Sequence, residues 1–161
     1  MSDITIGPGK LAGKGVYAGK DFAEGELVKS YDLKPLNQSD FEALSEEERM
    51  FVHSFWGKMY LFPEPSRYTN HSASPNTRAD FLKMCDYAIR PIKKGEMITT
   101  NATLEFKFEV ESFIKSIENH PISNFQWLKG GYRNAQVSYS VNGASKVVPV
   151  RRTLGNWQIV G

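Results

Sequence analysis

The sequence predicts a mainly β protein with short helices, an α+β fold built from several small sheets. Three observations carry that expectation. Residues 3–30 and 85–100 read as short apolar runs separated by glycine turns. An Asn142-Gly143 pair divides Val137–Val141 from Ser145–Arg152, and Asn-Gly is the strongest short hairpin signal. Helical periodicity is confined to two stretches, residues 39–55 and 106–118.

Taken in order, Gly7-Pro8-Gly9 and Gly13-Lys14-Gly15 read as breakers, with Val16-Tyr17-Ala18 a short strand between turns. Asp21–Val28 is a turn leading into a strand. In 39–55, Ser39 with Glu42 and Ser45 with Glu48 match capping boxes, and Phe41, Leu44, Phe51, Val52 and Phe55 share an apolar face. Tyr87, Ile89 and Ile92 lead to the turn Lys93–Glu96 and a strand at Met97–Thr100. The two turn-and-strand segments echo each other: Phe22–Val28 and Ile92–Ile98 both read apolar-x-x-Gly-Glu-apolar-apolar. Phe106, Val110, Phe113, Ile114 and Ile117 give the second helix, stopped at Asn119-His120-Pro121 because proline lacks an N–H and its ring clashes with the preceding turn. After the hairpin, Asn156–Val160 adds a strand. A soft boundary falls near 119–124.

The chain has 161 residues, 40% of them apolar and 12% aromatic, as in a globular domain rather than a disordered segment. Twenty basic residues stand against 18 acidic ones, a balance that argues against nucleic acid or an anionic membrane as the main partner. The single cysteine, Cys85, excludes an intrachain disulfide and a cysteine zinc cluster, and no metal site is expected. The N-terminal residues carry no basic stretch followed by an apolar one, so the cytoplasm is the default location, with a nuclear or host-directed one left open.

The most informative segment is Arg67-Tyr68-Thr69-Asn70-His71-Ser72-Ala73-Ser74-Pro75-Asn76, a polar loop flanked by Met59–Phe62 and Ala79–Leu82. Asn, Ser and Pro favour side-chain-to-backbone bonds and turns, and a polar loop between core segments is a common way to build a small-molecule site. The segment resembles the RxxNHSCxPN signature of the SET domain, the fold of most protein-lysine methyltransferases. Gly13–Ala18 looks like the family's GxGV(F/Y)A opening and Phe22–Val28 like the xxGExV element that follows. Ala88–Thr99 looks like the element that runs into its final motif. Four motifs stand in the family's order over residues 13–102. The resemblance is to compact bacterial or viral members that lack a zinc module.

The resemblance implies a SET-type fold with a pseudoknot-like crossing, a core at 3–104 and a helix-and-hairpin extension at 105–161. It also implies S-adenosyl-L-methionine as methyl donor and the ε-amine of a lysine-bearing protein or peptide as acceptor. Lys14, Gly15 and Tyr17 match positions that touch the cofactor, beside Gly13. Asn70 and His71 match positions that hold its amino-acid and adenine ends. Arg67 would pair with a cofactor carboxylate or with a structural acid. Tyr31 and Tyr60 are candidate walls of a lysine channel, ahead of Phe62. Each of these residues also has a plain reading, as turn, cap or core.

Two departures stand out. The family's final motif closes on the catalytic tyrosine, and aligning Gly95-Glu96 puts Ala102 there. Either Tyr68 or Tyr132 enters the space, or transfer is slow, or the chain is a non-catalytic module that binds cofactor or a lysine peptide. Helix 106–118 and the tail after it, with Phe125, Trp127, Tyr132, Tyr139 and Trp157, are the only material for a lid, and are otherwise a packed extension or an oligomer contact.

Overall fold

The protein is described by a computed structural model over residues 3–55, 58–102, 104–131, 134–153 and 156–160, with the side chains of Phe55, Phe106, Thr153 and Asn156 outside that description. Tyr132 is likewise outside the described residues. The chain begins with β1 (Ile4–Leu11), β2 (Lys14–Ala18), β3 (Leu27–Ser30), β4 (Lys34–Leu36), α1 (Gln38–Ala43), α2 (Glu46–Arg49), β5 (Val52–Phe55) and β6 (Lys58–Leu61). A 3-10 turn at Ser66–Tyr68 precedes β7 (Asn70–His71), β8 (Thr77–Asp80), β9 (Cys85–Ala88) and β10 (Met97–Thr100). Then come α3 (Glu105–Ile117), β11 (Ile122–Gly130), β12 (Asn134–Val141), β13 (Ala144–Thr153) and β14 (Asn156–Ile159). These strands form four small sheets, ordered β1-β2-β10-β7, β3-β9-β8, β4-β6-β5 and β11-β12-β13-β14. The expected mainly β architecture of several small sheets is therefore the one observed.

The echoed segments pack against each other. Phe22 and Ile92 exchange both backbone hydrogen bonds, at 2.8 and 2.9 Å. In each copy the glutamate folds back on its own turn: Glu26 Oε2 accepts from Ala23 N at 2.9 Å, and Glu96 Oε2 from Lys93 N at 3.0 Å. Each turn needs a left-handed residue, supplied by Gly25 (φ 82°) and Gly95 (φ 85°), where a side chain would be strained. The repeat is thus a local twofold device that closes the core cluster of Val16, Ala18, Phe22, Val28, Ala88, Ile92 and Ile98.

Two expectations are corrected. Gly7-Pro8-Gly9 does not break the chain but lies inside β1, which pairs along β2 with a register shift between Pro8 and Leu11. Proline is tolerated because β1 is an edge strand and the bulge removes the need for its N–H. A Cβ on Gly9 would stand 2.2 Å from Lys14 O, so glycine is what lets the two backbones close there. The helix expected over 39–55 is instead two short helices and a strand. Asn37, not Ser39, caps α1, with its Oδ1 accepting from Asp40 N at 2.7 Å. Leu44 ends α1 in an extended conformation, and the expected Ser45–Glu48 box then starts a new helix. Neither helix buries a residue, and Val52–Phe55 pairs with β6. The strands β4, β6, β7, β8 and β11 lie where the sequence indicates none.

The second helix and the hairpin form as the sequence indicates. In α3, Val110 and Ile114 are buried against Val137, Tyr139, Val150 and Trp157 of the C-terminal sheet. The turn between β12 and β13 is Asn142-Gly143, both left-handed (φ 50° and 77°), with Val141 opposite Ala144. No helix among the described residues is long and apolar enough to cross a membrane.

Candidate active site

The polar loop is fixed at both ends by asparagines. Asn70 is buried at 3% exposure; its Nδ2 donates to Lys14 O (2.9 Å) and Tyr68 O (2.8 Å), and its Oδ1 accepts from Lys10 N (2.7 Å). One side chain thereby ties the loop to both strands of the first hairpin. Asn76, also buried, acts as an extra rung beside β10: its Oδ1 accepts from Thr99 N and its Nδ2 donates to Met97 O, each at 2.8 Å. Between them β7 runs parallel to β10, with Asn70 opposite Thr99 and His71 opposite Thr100. Ser72 N continues the ladder to Thr100 O at 2.9 Å. The segment after β10 is held in turn by His71, whose Nδ1 accepts from Ala102 N at 3.1 Å.

Beside this crossing lies a cavity of about 220 Å³. Phe51, Phe62 and Phe81 give it apolar walls; Tyr31, Asp86, Thr100 and Glu105 give it a polar end, and Ala102 lines it too. Tyr31, expected as a channel wall, lines this cavity. Tyr60 lies outside the cavity, in a neighbouring groove with Leu33 and Met84, and Phe62 takes the place beside Tyr31 at 5.2 Å between ring centroids. Tyr68 does not enter the space near Ala102. It is buried edge-on against Phe51 and its hydroxyl bonds Glu64 Oε1 at 2.5 Å.

The polar end holds groups that the sequence reading missed. Lys29 and Asp86 form an ion pair at 2.8 Å with both side chains 4% exposed. The second oxygen of Asp86 accepts from the Tyr31 hydroxyl at 2.5 Å. Burial, and then the negative charge of Asp86, push the Tyr31 phenol far above its usual range, so it stays protonated. Glu105 opens α3; Thr100 Oγ1 donates to its Oε1 at 3.5 Å. Burial, reinforced by Asp86 and opposed by Lys29, raises its carboxyl to about 7. A lone aspartate in the otherwise apolar strand Cys85–Ala88 was the one available sequence signal for this network.

The remaining predicted residues surround the loop. Lys14 Nζ sits over the Tyr68 ring, 4.8 Å from its centroid, and is half exposed. Arg67 lines the cavity, stacks over Phe51 at 5.0 Å, and donates from Nε to Phe62 O at 2.8 Å. Tyr17 spends its hydroxyl on Pro8 O (2.6 Å). A Cβ on Gly15 would meet Pro8 O at 3.1 Å and Asn70 Nδ2 at 3.4 Å, so its missing side chain serves hairpin packing. S-adenosylmethionine offers a carboxylate, an ammonium and an adenine edge, and this donor set suits it. Arg67 and Lys14 supply cations, and the Asn70 carbonyl retains a lone pair beyond its single bond to Lys10 N. Among the described residues no group of His, Cys, Asp or Glu is placed to hold a metal ion.

Comparison with known proteins agrees with this geometry. The SET domain family model matches residues 13–101. A curated relative, the Variant-silencing SET domain-containing protein of Plasmodium falciparum, is 26% identical over 97% of this chain. The chain spans only 6% of that relative's length. A solved structure of the Chaetomium thermophilum Polycomb Repressive Complex 2, autoinhibited and bound to S-adenosylmethionine, is similar at 20% identity with a TM-score of 0.50, over 71% of this chain and 17% of that one. The methyltransferase domain of human Histone-lysine N-methyltransferase SETMAR is similar at 17% identity with a TM-score of 0.45, over 62% of this chain and 44% of that one. With the family model covering more than half of the chain, the protein belongs to the SET domain family.

Proposed function

We propose that the protein is an S-adenosylmethionine-dependent protein-lysine N-methyltransferase. The observation that carries the reading is the cavity with aromatic walls that adjoins the Asn70–His71 loop and includes Ala102. Lys14, Arg67, Asn70 and His71 would hold the cofactor, which when bound supplies an activated methyl group. The chain's own residues have two tasks. A lysine amine is charged near neutrality, with a reference pKa of about 10.4. The walls formed by Tyr31, Phe51, Phe62 and Phe81 strip water from it and favour its neutral form. The same walls hold the side chain in one line, and alignment of this kind lowers a barrier by several kcal/mol.

A second reading is supported by Ala102, which brings no hydroxyl to the cavity: a non-catalytic module that binds the cofactor or a lysine peptide. Isothermal titration with S-adenosylmethionine, followed by transfer of labelled methyl to core histones, separates the two. Binding with transfer supports the enzyme. Binding without transfer supports the module, and no binding of the cofactor by the native chain removes the enzyme and leaves only a module that binds a lysine peptide.

A further inference from the structure

The cavity contains one carboxyl group that its own neighbours do not use up. Both oxygens of Asp86 are committed, one to Lys29 Nζ and the other to the Tyr31 hydroxyl. Glu105 differs. Its Oε1 accepts a long bond from Thr100, and among the described residues its Oε2 has no hydrogen-bond donor. It lies three residues beyond Ala102 in the chain, and both line the cavity. A tyrosine at 102 would have brought a hydroxyl to this cavity; with alanine there, the polar groups left at its end are the Tyr31–Asp86–Lys29 chain, Thr100 and Glu105.

We propose that Glu105 is a catalytic residue of this site, the proton acceptor for the incoming lysine ammonium. This rests on the methyltransferase reading above. The step is a proton transfer: the ammonium N–H bond breaks, its proton moves to Oε2 of Glu105, and the freed nitrogen lone pair becomes the nucleophile. No other reactant is needed, and the proton leaves to solvent through the cavity mouth after transfer.

The electrostatics agree with the geometry. The groups facing Glu105 are Asp86 from β9, Lys29 from β3, Tyr31 just after β3, and Glu109 one turn along α3. His53 of β5 and Arg67 of the loop line the cavity across from it. Burial and the Asp86 charge outweigh Lys29, leaving the carboxyl basic enough to take a proton near neutral pH and weak enough to lose it again. Tyr31 stays protonated and cannot serve.

The test uses the full chain and its isosteric variant Glu105→Gln. In the cofactor-free protein, carbon-13 NMR of the Glu105 side chain follows its titration with and without n-butylammonium, a mimic of the lysine side chain. The expected result is a midpoint near neutrality that falls when n-butylammonium is present. A midpoint that ignores the amine overturns the assignment. With S-adenosylmethionine and core histones, Glu105→Gln is expected to lower kcat by about 10²-fold or more with cofactor affinity unchanged, and to lose the rise in rate between about pH 6 and 8. Transfer by the native chain that the variant leaves unchanged in rate overturns the assignment and keeps the methyltransferase reading. So does a fall in rate that leaves the pH profile intact, since that is positioning. Absence of transfer by the native chain removes both.

Discussion

Phe22 and Ile92 exchange both of their backbone hydrogen bonds and are 2% and 0% exposed, so the two halves of the sequence echo meet at a single pair in the core. Around that pair the correspondence extends to charge. Lys20 meets Glu26 Oε1 at 2.8 Å in one copy and Arg90 meets Glu96 Oε1 at 2.7 Å in the other. Ala18 N donates to Glu96 O, and Ala88 N to Glu26 O, both at 2.9 Å, so each copy's glutamate carbonyl caps a strand of the other.

The core pair should carry stability in proportion to its burial. Ile92→Ala is expected to cost about 2–5 kcal/mol and Phe22→Ala about 3–5 kcal/mol by urea unfolding. Because the side chains share one cluster, the double variant should cost measurably less than the sum. Strict additivity would show that the two turns stabilise independently.

Asn70 joins three backbone groups, Lys10 N, Lys14 O and Tyr68 O. Asn70→Ala should destabilise by about 2–4 kcal/mol and weaken S-adenosylmethionine binding by about 1–3 kcal/mol. Asn70→Asp should be worse for stability, since a carboxylate would face Lys14 O and Tyr68 O where Nδ2 now donates. Thermal melting and titration calorimetry on the same samples check both, and an Asn70→Ala protein with native stability would contradict the clamp.

The Lys29–Asp86 pair is buried on both sides, so breaking one half leaves an uncompensated charge. Lys29→Met should cost about 3–5 kcal/mol, whereas Lys29→Met with Asp86→Leu should recover much of that loss. Denaturant curves for the two variants give the comparison directly.

Glu105 links stability to pH. Its folded carboxyl titrates near 7 against about 4.5 unfolded, so the native state holds the proton more tightly. Its contribution is fully present below about pH 4.5 and is lost as pH rises through 7. Glu105→Gln removes that loss. The variant should match the native chain near pH 4 and exceed it at pH 8 by about 1–3 kcal/mol, read from melting curves at the two pH values.

Ala102 is exposed and lines the cavity. In a Glu105→Gln background, Ala102→Tyr should restore transfer by about 10-fold or more, because a preorganised hydroxyl returns to the acceptor amine. Methyl-transfer rates of the single and double variants decide this, and no recovery would mean that position 102 does not face the acceptor.

Much of the fold was written in local sequence. Asn142-Gly143 encodes a two-residue left-handed turn, Val110 and Ile114 a helical stripe, and the paired Gly-Glu motifs two similar turns, because each depends on residues a few positions apart. Local rules failed where a partner strand overrode them. Pro8 is carried inside β1 by its pairing with β2, and Val52–Phe55 becomes a strand because β6 lies beside it. The candidate site divides along the same line. The sequence by itself determined the family and pointed to the loop Arg67–Asn76, to Tyr31 and to Ala102, the last two of which line the cavity. Only the tertiary structure decided that Phe62 rather than Tyr60 enters the cavity, that Tyr68 is spent on Glu64, and that Lys29, Asp86 and Glu105 converge there. Those three stand on β3, β9 and α3, and their meeting follows from how the elements pack, which no spacing along the chain records.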